Sequence, residues 1–194
     1  MVANTPKTRC ASWVGLLLSG VTLSGCGQLP PAEVPEPLRP QMPAVIFDID
    51  GTLTPNVHAI FTARPDAAKA VGAFAAKGYQ IVYLSARNPW LQTGLPDWLT
   101  ENHFPAGALH VPQNLTEHLN PDTFKTQILN RYKQKGWRLA FAYGDSSTDF
   151  VAYAAAGIPQ EQTYALLREG ETTCQAGAWK QCLSSWQELR ITAP

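Results

Sequence analysis

From residue 44 onward, short apolar runs alternate with stretches whose apolar positions recur every three or four residues. Residues 44–49 (AVIFDI), 79–84 (YQIVYL), 108–111, 139–143 and 163–167 have the length and unbroken hydrophobicity of strands buried on both faces. Between them, residues 64–77 place alanines and larger apolar side chains at helical spacing and stop at Gly78, a natural helix terminator. Residues 89–102 predict a helix interrupted by Gly94 and Pro96. Residues 121–135 predict a longer one, with Asn120 placed to cap it, Pro121 in the first position and Gly136 to end it. Residues 148–156 predict a further helix ending at Gly157. Strand and helix in alternation imply an α/β fold, a three-layer parallel sheet of about five strands covered by helices on both faces. Ligands of such sheets bind outside the carboxyl ends of the strands, so the chemistry is sought there.

The first 43 positions follow another pattern. Lys7 and Arg9 precede a mostly apolar stretch over 11–23, and small residues follow. A bilayer span takes about 20 residues, so this stretch reads as an export signal over residues 1–25. It ends in Leu23-Ser24-Gly25-Cys26, which resembles the bacterial lipobox, whose cysteine becomes the lipidated N-terminus after cleavage. An ordinary cleaved signal with an incidental cysteine is the alternative. The lipobox reading implies an exported lipoprotein, anchored to the membrane through Cys26 at its periplasmic face, and Gly27 resembles the next residue of outer-membrane cargo. Residues 27–43 (GQLPPAEVPEPLRPQMP) contain six prolines, which exclude helix and sheet interior and predict an extended, semi-stiff tether. The expected plan is therefore a signal over 1–25, a lipidated cysteine and tether over 26–43, and one folded domain over 44–194.

Composition narrows the partners. Fifteen basic and fifteen acidic side chains cancel in 194 residues, which leaves no basic field for nucleic acid. An anionic substrate must then be gripped by local groups. Of the four cysteines, Cys10 lies within the signal and Cys26 at its end. Cys174 and Cys182 form a late pair; in an exported protein a local disulfide between them would persist, and two unpaired or buried thiols are the alternative. No second Cys or His pair stands at zinc-ligand spacing. His58, His103, His110 and His118 also lack such spacing and are expected at the surface or in loops.

The chemistry-bearing residues stand at the strand ends. The first strand runs into Asp48-Ile49-Asp50-Gly51-Thr52, two carboxylates that would repel each other unless a cation sits between them. Magnesium prefers such oxygen ligands and shares its shell with water and phosphate. The second strand ends in Ser85-Ala86-Arg87, where a hydroxyl can donate to a phosphate oxygen and Arg87 can touch substrate or pair with a carboxylate. Lys125 lies in the first turns of the 121–135 helix, and the fourth strand ends in Gly144-Asp145-Ser146-Ser147-Thr148-Asp149. Taken singly, each has a plain structural reading: a solvated serine, a surface lysine, a cap at Ser147 or Thr148. Their order along alternating strands brings them to one end of one sheet.

This series, DxDGT, a strand ending in Ser, a Lys and GDxxxD, resembles the four motifs of the haloacid dehalogenase (HAD) superfamily over the whole folded part. The resemblance implies a Rossmann-like sheet and an aspartyl-phosphate mechanism. It implies that Asp48 attacks phosphorus and binds magnesium, and that Asp50 acts as general acid and then base, with its carbonyl on the metal. It further implies that Thr52, Ser85 and Lys125 hold phosphate oxygens, that Asp145 binds the metal, and that Asp149 supports the metal shell.

Only 34 residues separate Asp50 from Ser85 and 39 separate Ser85 from Lys125, which leaves no room for a large cap domain. An open site suits a bulky or membrane-bound substrate. YLSARNPWLQ, DWLTENHFPAGAL, TFKTQIL, AYGDSSTDFVAYAAAGIP and QTYAL are similar to the lipin catalytic domain and to the C-terminal domain of retinal-degeneration-B type phosphatidylinositol transfer proteins. Lipins dephosphorylate phosphatidic acid, whereas the transfer-protein domains have lost the catalytic aspartates and sense that lipid. Asp48 and Asp50 are both present here, so the resemblance implies a phosphatase of phosphatidic acid or a related lipid phosphate. A soluble-substrate acid phosphatase or nucleotidase and a non-catalytic phosphatidic acid binding module are the alternatives. Trp90 and Trp98 flank the broken helix after Ser85 and are expected in the core or among lipid headgroups; Trp179 and Trp186 are expected to pack a C-terminal segment onto the sheet.

Overall fold

A computed structural model describes residues 28–189. The signal expected over 1–25 and the lipidation candidate Cys26 lie outside the described residues. Among the described residues, six strands form one sheet: β1 (Pro43–Phe47), β2 (Gln80–Leu84), β3 (Ala108–His110), β4 (Arg138–Gly144), β5 (Thr163–Leu166) and β6 (Gln181–Leu183). Their spatial order is β3-β2-β1-β4-β5-β6 and every pairing is parallel. The chain moves outward from β1 to β3 and then crosses to β4 on the other side of β1. A crevice therefore opens where the winding reverses, between the tips of β1 and β4.

Alternation along β1 sends its side chains to two cores. Val45 and Phe47 join Phe74, Leu95, Trp98 and Trp186 on the face covered by α1 (Ala67–Ala76) and α2 (Leu95–Glu101). Ala44 and Ile46 join Phe124, Leu129, Tyr132 and Tyr153 on the face covered by α4 (Pro121–Gln134) and α5 (Ser147–Ala155). No additional domain is inserted between Asp50 and Ser85 or between Ser85 and Lys125.

Several boundaries differ from the pattern. The first helix begins only at Ala67, because Asp66 takes a left-handed backbone (φ 60°) after Pro65. The 89–102 region splits into a 3-10 turn, Pro89–Leu91, and α2; Pro96 is harmless in the first turn of α2, where its missing N–H has no partner to lose. A short helix, α3 (Leu115–Leu119), was not legible in the pattern and is capped by Asn114, which accepts from Glu117 N–H at 2.9 Å. Asn120 does not cap α4 with its side chain, which instead donates to the Thr116 carbonyl at 2.8 Å. The sixth strand, β6, has only three residues in a polar stretch. The Cys174–Cys182 disulfide forms, and it ties β6 to the loop before it.

The proline-rich segment contains no helix or strand before β1, yet it does not stand off the domain as a tether would. Val34 is buried, Lys135 Nζ donates to its carbonyl at 2.8 Å, and the Trp137 indole donates to the Pro35 carbonyl at 2.8 Å. His110 is a second correction: it is buried in β3, with Nε2 at 2.9 Å from the Tyr132 hydroxyl. Trp98 and Trp186 are core residues, Trp179 is partly buried, and Trp90 is 64% exposed.

Candidate active site

Asp48 follows the last residue of β1 and remains in register with β4, its N–H donating to the Tyr143 carbonyl at 2.9 Å. It therefore leaves the sheet beside Asp145, which follows β4. One carboxylate oxygen each from Asp48, Asp145 and Asp149 lies within 4.8 Å of the others, and all three residues are buried. Asp149 reaches this cluster as the third residue of α5, where it also completes a capping box. Ser146 is the cap, and Asp149 Oδ2 accepts from the Asp145 and Ser146 N–H groups at 3.2 and 3.1 Å.

The turn after Asp50 depends on Gly51. Its φ of 92° favours glycine, and a Cβ there would lie 2.0 Å from Asp145 Oδ2. The N–H groups of Thr52, Leu53 and Thr54 all close on the Ile49 carbonyl, which makes the turn rigid. Thr52 is fully buried by this turn and its hydroxyl donates to Asp145 Oδ1 at 3.4 Å. It faces the carboxylate and not the open pocket, so the expected phosphate contact through its side chain is not what the fold provides.

Lys125 is buried and its ammonium donates to Asp48 Oδ1 and to Asp149 Oδ1, each at 2.5 Å. It bridges two carboxylates where a phosphate grip was expected. The second oxygen of Asp48, Oδ2, is buried with no hydrogen-bond partner. Arg168 donates to Asp145. Asp50 stands slightly outside the cluster. It accepts from Ser85 Oγ at 2.7 Å and from Arg87 Nη2 and Nε at 2.6 and 3.1 Å. The fully buried Ser85 thus serves Asp50, and its oxygen also accepts from Arg87 N–H at 2.9 Å.

Electrostatics follow from this burial. Desolvation pushes the Asp48 carboxyl well above the ordinary range; Lys125 opposes the shift, and Asp149, Asp145 and Asp50 reinforce it. Asp145 is pushed up to about 6, by burial first and then by Asp149, against the pull of Arg168. Burial works against the charge on Lys125, but Asp149 and Asp48 outweigh it and hold the ammonium above the ordinary lysine range.

These groups floor a pocket of about 360 Å³. Asp48, Asp50, Lys125, Asp145, Asp149, Arg87 and Arg168 supply its charges, while Val57, Ile60, Leu91 and Pro121 supply an apolar wall. The three clustered carboxylates are hard oxygen donors without a thiolate or imidazole among them, and the orphaned Asp48 oxygen lacks a positive partner. That donor set fits a magnesium-like cation.

Three functional neighbours were missed by sequence reasoning. Arg168 lies just past β5, with no motif to mark it. His118 lines the pocket, with Nδ1 2.8 Å from the Ala86 carbonyl. Arg64 is buried and donates to the carbonyls of Gly51, Leu167 and Pro55 at 2.8, 2.9 and 3.0 Å, which clamps the acidic turn to the end of β5. Its only sequence signal was an arginine where a helix should already have begun.

The family described as PITM 1-3, LNS2 domain, matches residues 45–167. Membrane-associated phosphatidylinositol transfer protein 3 of Homo sapiens is 28% identical over 141 residues, covering 69% of this chain and 14% of that protein. Membrane-associated phosphatidylinositol transfer protein 1 of Rattus norvegicus is 30% identical over 139 residues, covering 68% of this chain and 11% of that protein. The chain thus spans a small part of these curated relatives. Among solved structures, D,D-heptose 1,7-bisphosphate phosphatase from B. bronchiseptica, complexed with magnesium and phosphate, superposes with a TM-score of 0.52 at 17% identity, covering 75% of this chain and 94% of that one. A HAD family hydrolase from Deinococcus radiodurans R1 with bound phosphate and sodium gives 0.52 at 16% identity, covering 78% and 95%. These likenesses show that the chain shares the fold of these proteins.

Proposed function

The chain belongs to the LNS2 domain family, and from that premise we propose that it is a magnesium-dependent phosphomonoester hydrolase of lipid phosphates, phosphatidic acid or a close relative. The observation that carries the catalytic reading is Asp48: a buried carboxylate at a strand tip, held by Lys125 through one oxygen and left without a partner at the other. A carboxylate so placed can attack a phosphorus atom seated in the pocket.

In the first step an Asp48 oxygen bonds to phosphorus while the bond from phosphorus to the leaving oxygen breaks. Asp50 gives its proton to that oxygen, and an alcohol departs. In the second step Asp50 takes a proton from water as the water oxygen attacks the aspartyl phosphate, which frees inorganic phosphate and restores Asp48. Lys125 and Arg168 hold Asp48 and Asp145 in place throughout, and their charges offset part of the negative charge that gathers in the transition state. Asp48, Asp145 and Asp149 would hold a magnesium ion, which when bound would supply further charge neutralisation to the phosphoryl group.

The lipid assignment rests on the pocket wall. Val57, Ile60, Leu91 and Pro121 offer little to a sugar or nucleotide, and Val57 and Leu91 are also exposed to solvent. An apolar wall beside a charged floor matches a phosphate headgroup at the edge of a hydrocarbon phase. The relatives are named as membrane-associated phosphatidylinositol transfer proteins, which supports the same class. A lipid anchor at Cys26 fits a site that works on membrane lipids.

The test is phosphate release from short-chain phosphatidic acid in micelles and from nucleoside monophosphates, each with magnesium and with chelator. Release from the lipid that needs magnesium and vanishes in Asp48→Asn is the expected result. Preference for nucleotides would overturn the lipid class. Liposome binding without any phosphate release would overturn catalysis.

A further inference from the structure

Arg87 grips Asp50, and a fully buried glutamine grips Arg87 from behind. Gln92 Nε2 donates to the Arg87 carbonyl at 3.0 Å and to the Pro112 carbonyl at 2.9 Å, and Gln92 is 0% exposed. Its Oε1 accepts from the Leu29 N–H at 3.3 Å. One amide therefore joins three chain segments far apart in sequence: the loop after β2, the loop after β3 and the proline-rich segment. A buried amide is expensive to desolvate, so a position that satisfies it from three sides holds those sides together.

The proline-rich segment is also fixed along its length. Gln28 Nε2 donates to the Gln113 carbonyl at 2.7 Å, so the segment starts beside the loops at the carboxyl ends of β2 and β3. It then passes over a cleft between β3 and α4, where Pro31 and Ala32 face His110 and Ile128. Val34 enters the core, Lys135 and Trp137 bind the carbonyls of Val34 and Pro35, and Gln41 N–H donates to the Gly136 carbonyl at the opposite end of the sheet. Prolines suit this duty, since a chain with few backbone donors and a preset φ loses little freedom when laid flat.

We propose that residues 28–36 are a strap belonging to the catalytic domain, and that Gln92 is the positioning residue through which the strap fixes Arg87 and, through Arg87, the Asp50 carboxylate. The strap reaches the acid–base group without touching substrate. This inference rests on the role given to Asp50 above.

The test uses the full chain with three variants. Leu29→Pro removes the one N–H that Gln92 accepts from, Leu29→Ala keeps that N–H and trims the side chain, and Gln92→Met removes the amide at similar volume. Turnover is measured on an alkyl phosphomonoester, whose leaving oxygen needs a proton, and on p-nitrophenyl phosphate, whose leaving group needs almost none. Leu29→Pro and Gln92→Met are expected to lower kcat on the alkyl ester about tenfold, with KM little changed and the aryl ester much less affected. Leu29→Ala should behave as wild type. Hydrogen exchange of the Arg87 Nε–H, read by NMR, should quicken in the same two variants and not in Leu29→Ala. That second readout needs no activity, so it decides the inference even if the wild type hydrolyses neither ester. Unchanged Arg87 exchange in both variants, or an equal loss on both esters, would overturn it.

Discussion

Lys125→Met keeps the length and apolar stem of the side chain and removes only its charge. In the native fold that charge lies 2.5 Å from an oxygen of Asp48 and 2.5 Å from one of Asp149, and Lys125, Asp48 and Asp149 are 2%, 3% and 1% exposed. Deleting one partner of a buried ion pair generally costs about 3–5 kcal/mol, because the other partner is left charged and unpaired. Part of this is recovered if Asp48 takes up a proton, which burial already favours. A loss of about 3 kcal/mol near neutral pH, or roughly 6–12 °C in melting temperature, is therefore expected in chelator. The sign of its pH dependence follows from the same carboxyl. Without Lys125 the folded-state pKa of Asp48 rises further above its unfolded value, so the folded variant binds the extra proton. Its stability is retained near pH 4 or below and falls as pH rises toward and through the raised pKa, so the deficit against wild type widens as pH rises. A divalent cation that binds only the folded state should stabilise either protein, by about 2.7 kcal/mol at one hundred times that protein's own dissociation constant, so the deficit narrows only by the difference in their cation affinities. Turnover should fall by about two to three orders of magnitude, the usual effect of losing one preorganised electrostatic group. Melting curves at low and high pH, with magnesium and with chelator, together with phosphate release, read all of these. A Lys125→Met protein that melts with the wild type in chelator at high pH, or keeps most of its turnover, would refute the bridging role.

Two other perturbations probe different parts of the same design. In Gly51→Ala the new methyl would sit 2.0 Å from Asp145 Oδ2 at a φ of 92°. Stability should drop by about 2 kcal/mol or more and turnover should be nearly lost; a wild-type urea midpoint with wild-type turnover would contradict the close approach. Burial, with a smaller push from Arg131, lowers the His110 pKa to about 4 in the fold, below the ordinary 6.5. At neutral pH both states are uncharged at this site; as pH falls below the unfolded value only the unfolded chain is protonated, so the fold loses up to about 3 kcal/mol between pH 6.5 and 4. His110→Gln should remove that share of the acid sensitivity, and an unchanged difference in stability between pH 7 and 4.5 would contradict the burial argument.

What the sequence disclosed and what it withheld differ in range along the chain. The strands were legible because a strand buried on both faces must be apolar at consecutive positions, as 44–47 and 81–84 are. The acidic residues were legible because each follows a strand, where a local motif and a simple topological rule suffice. Their partners were not. Arg168 meets Asp145 across 23 positions, Arg64 meets Leu167 across 103, and Gln92 meets Leu29 across 63. None of these pairs has a periodicity, and a buried arginine or glutamine looks in sequence like a solvated one. Ser85 and Lys125 stand where the pattern put them; the resemblance implied that they hold phosphate oxygens, and nothing local in sequence showed that each also donates to a carboxylate, Asp50 and Asp48. The proline-rich segment misled for a related reason, since proline content dictates what a chain cannot form and says nothing about what it lies against. A tether and a strap share one composition. They differ only in whether a buried donor or acceptor elsewhere waits for their backbone, and here Gln92, Lys135 and Trp137 do. Truncation at residue 44, the boundary that pattern alone supports, would therefore leave the Gln92 amide oxygen, the Lys135 ammonium and the Trp137 indole without the carbonyls and N–H they bind here, and would loosen one end of the contacts that reach Arg87 and Asp50.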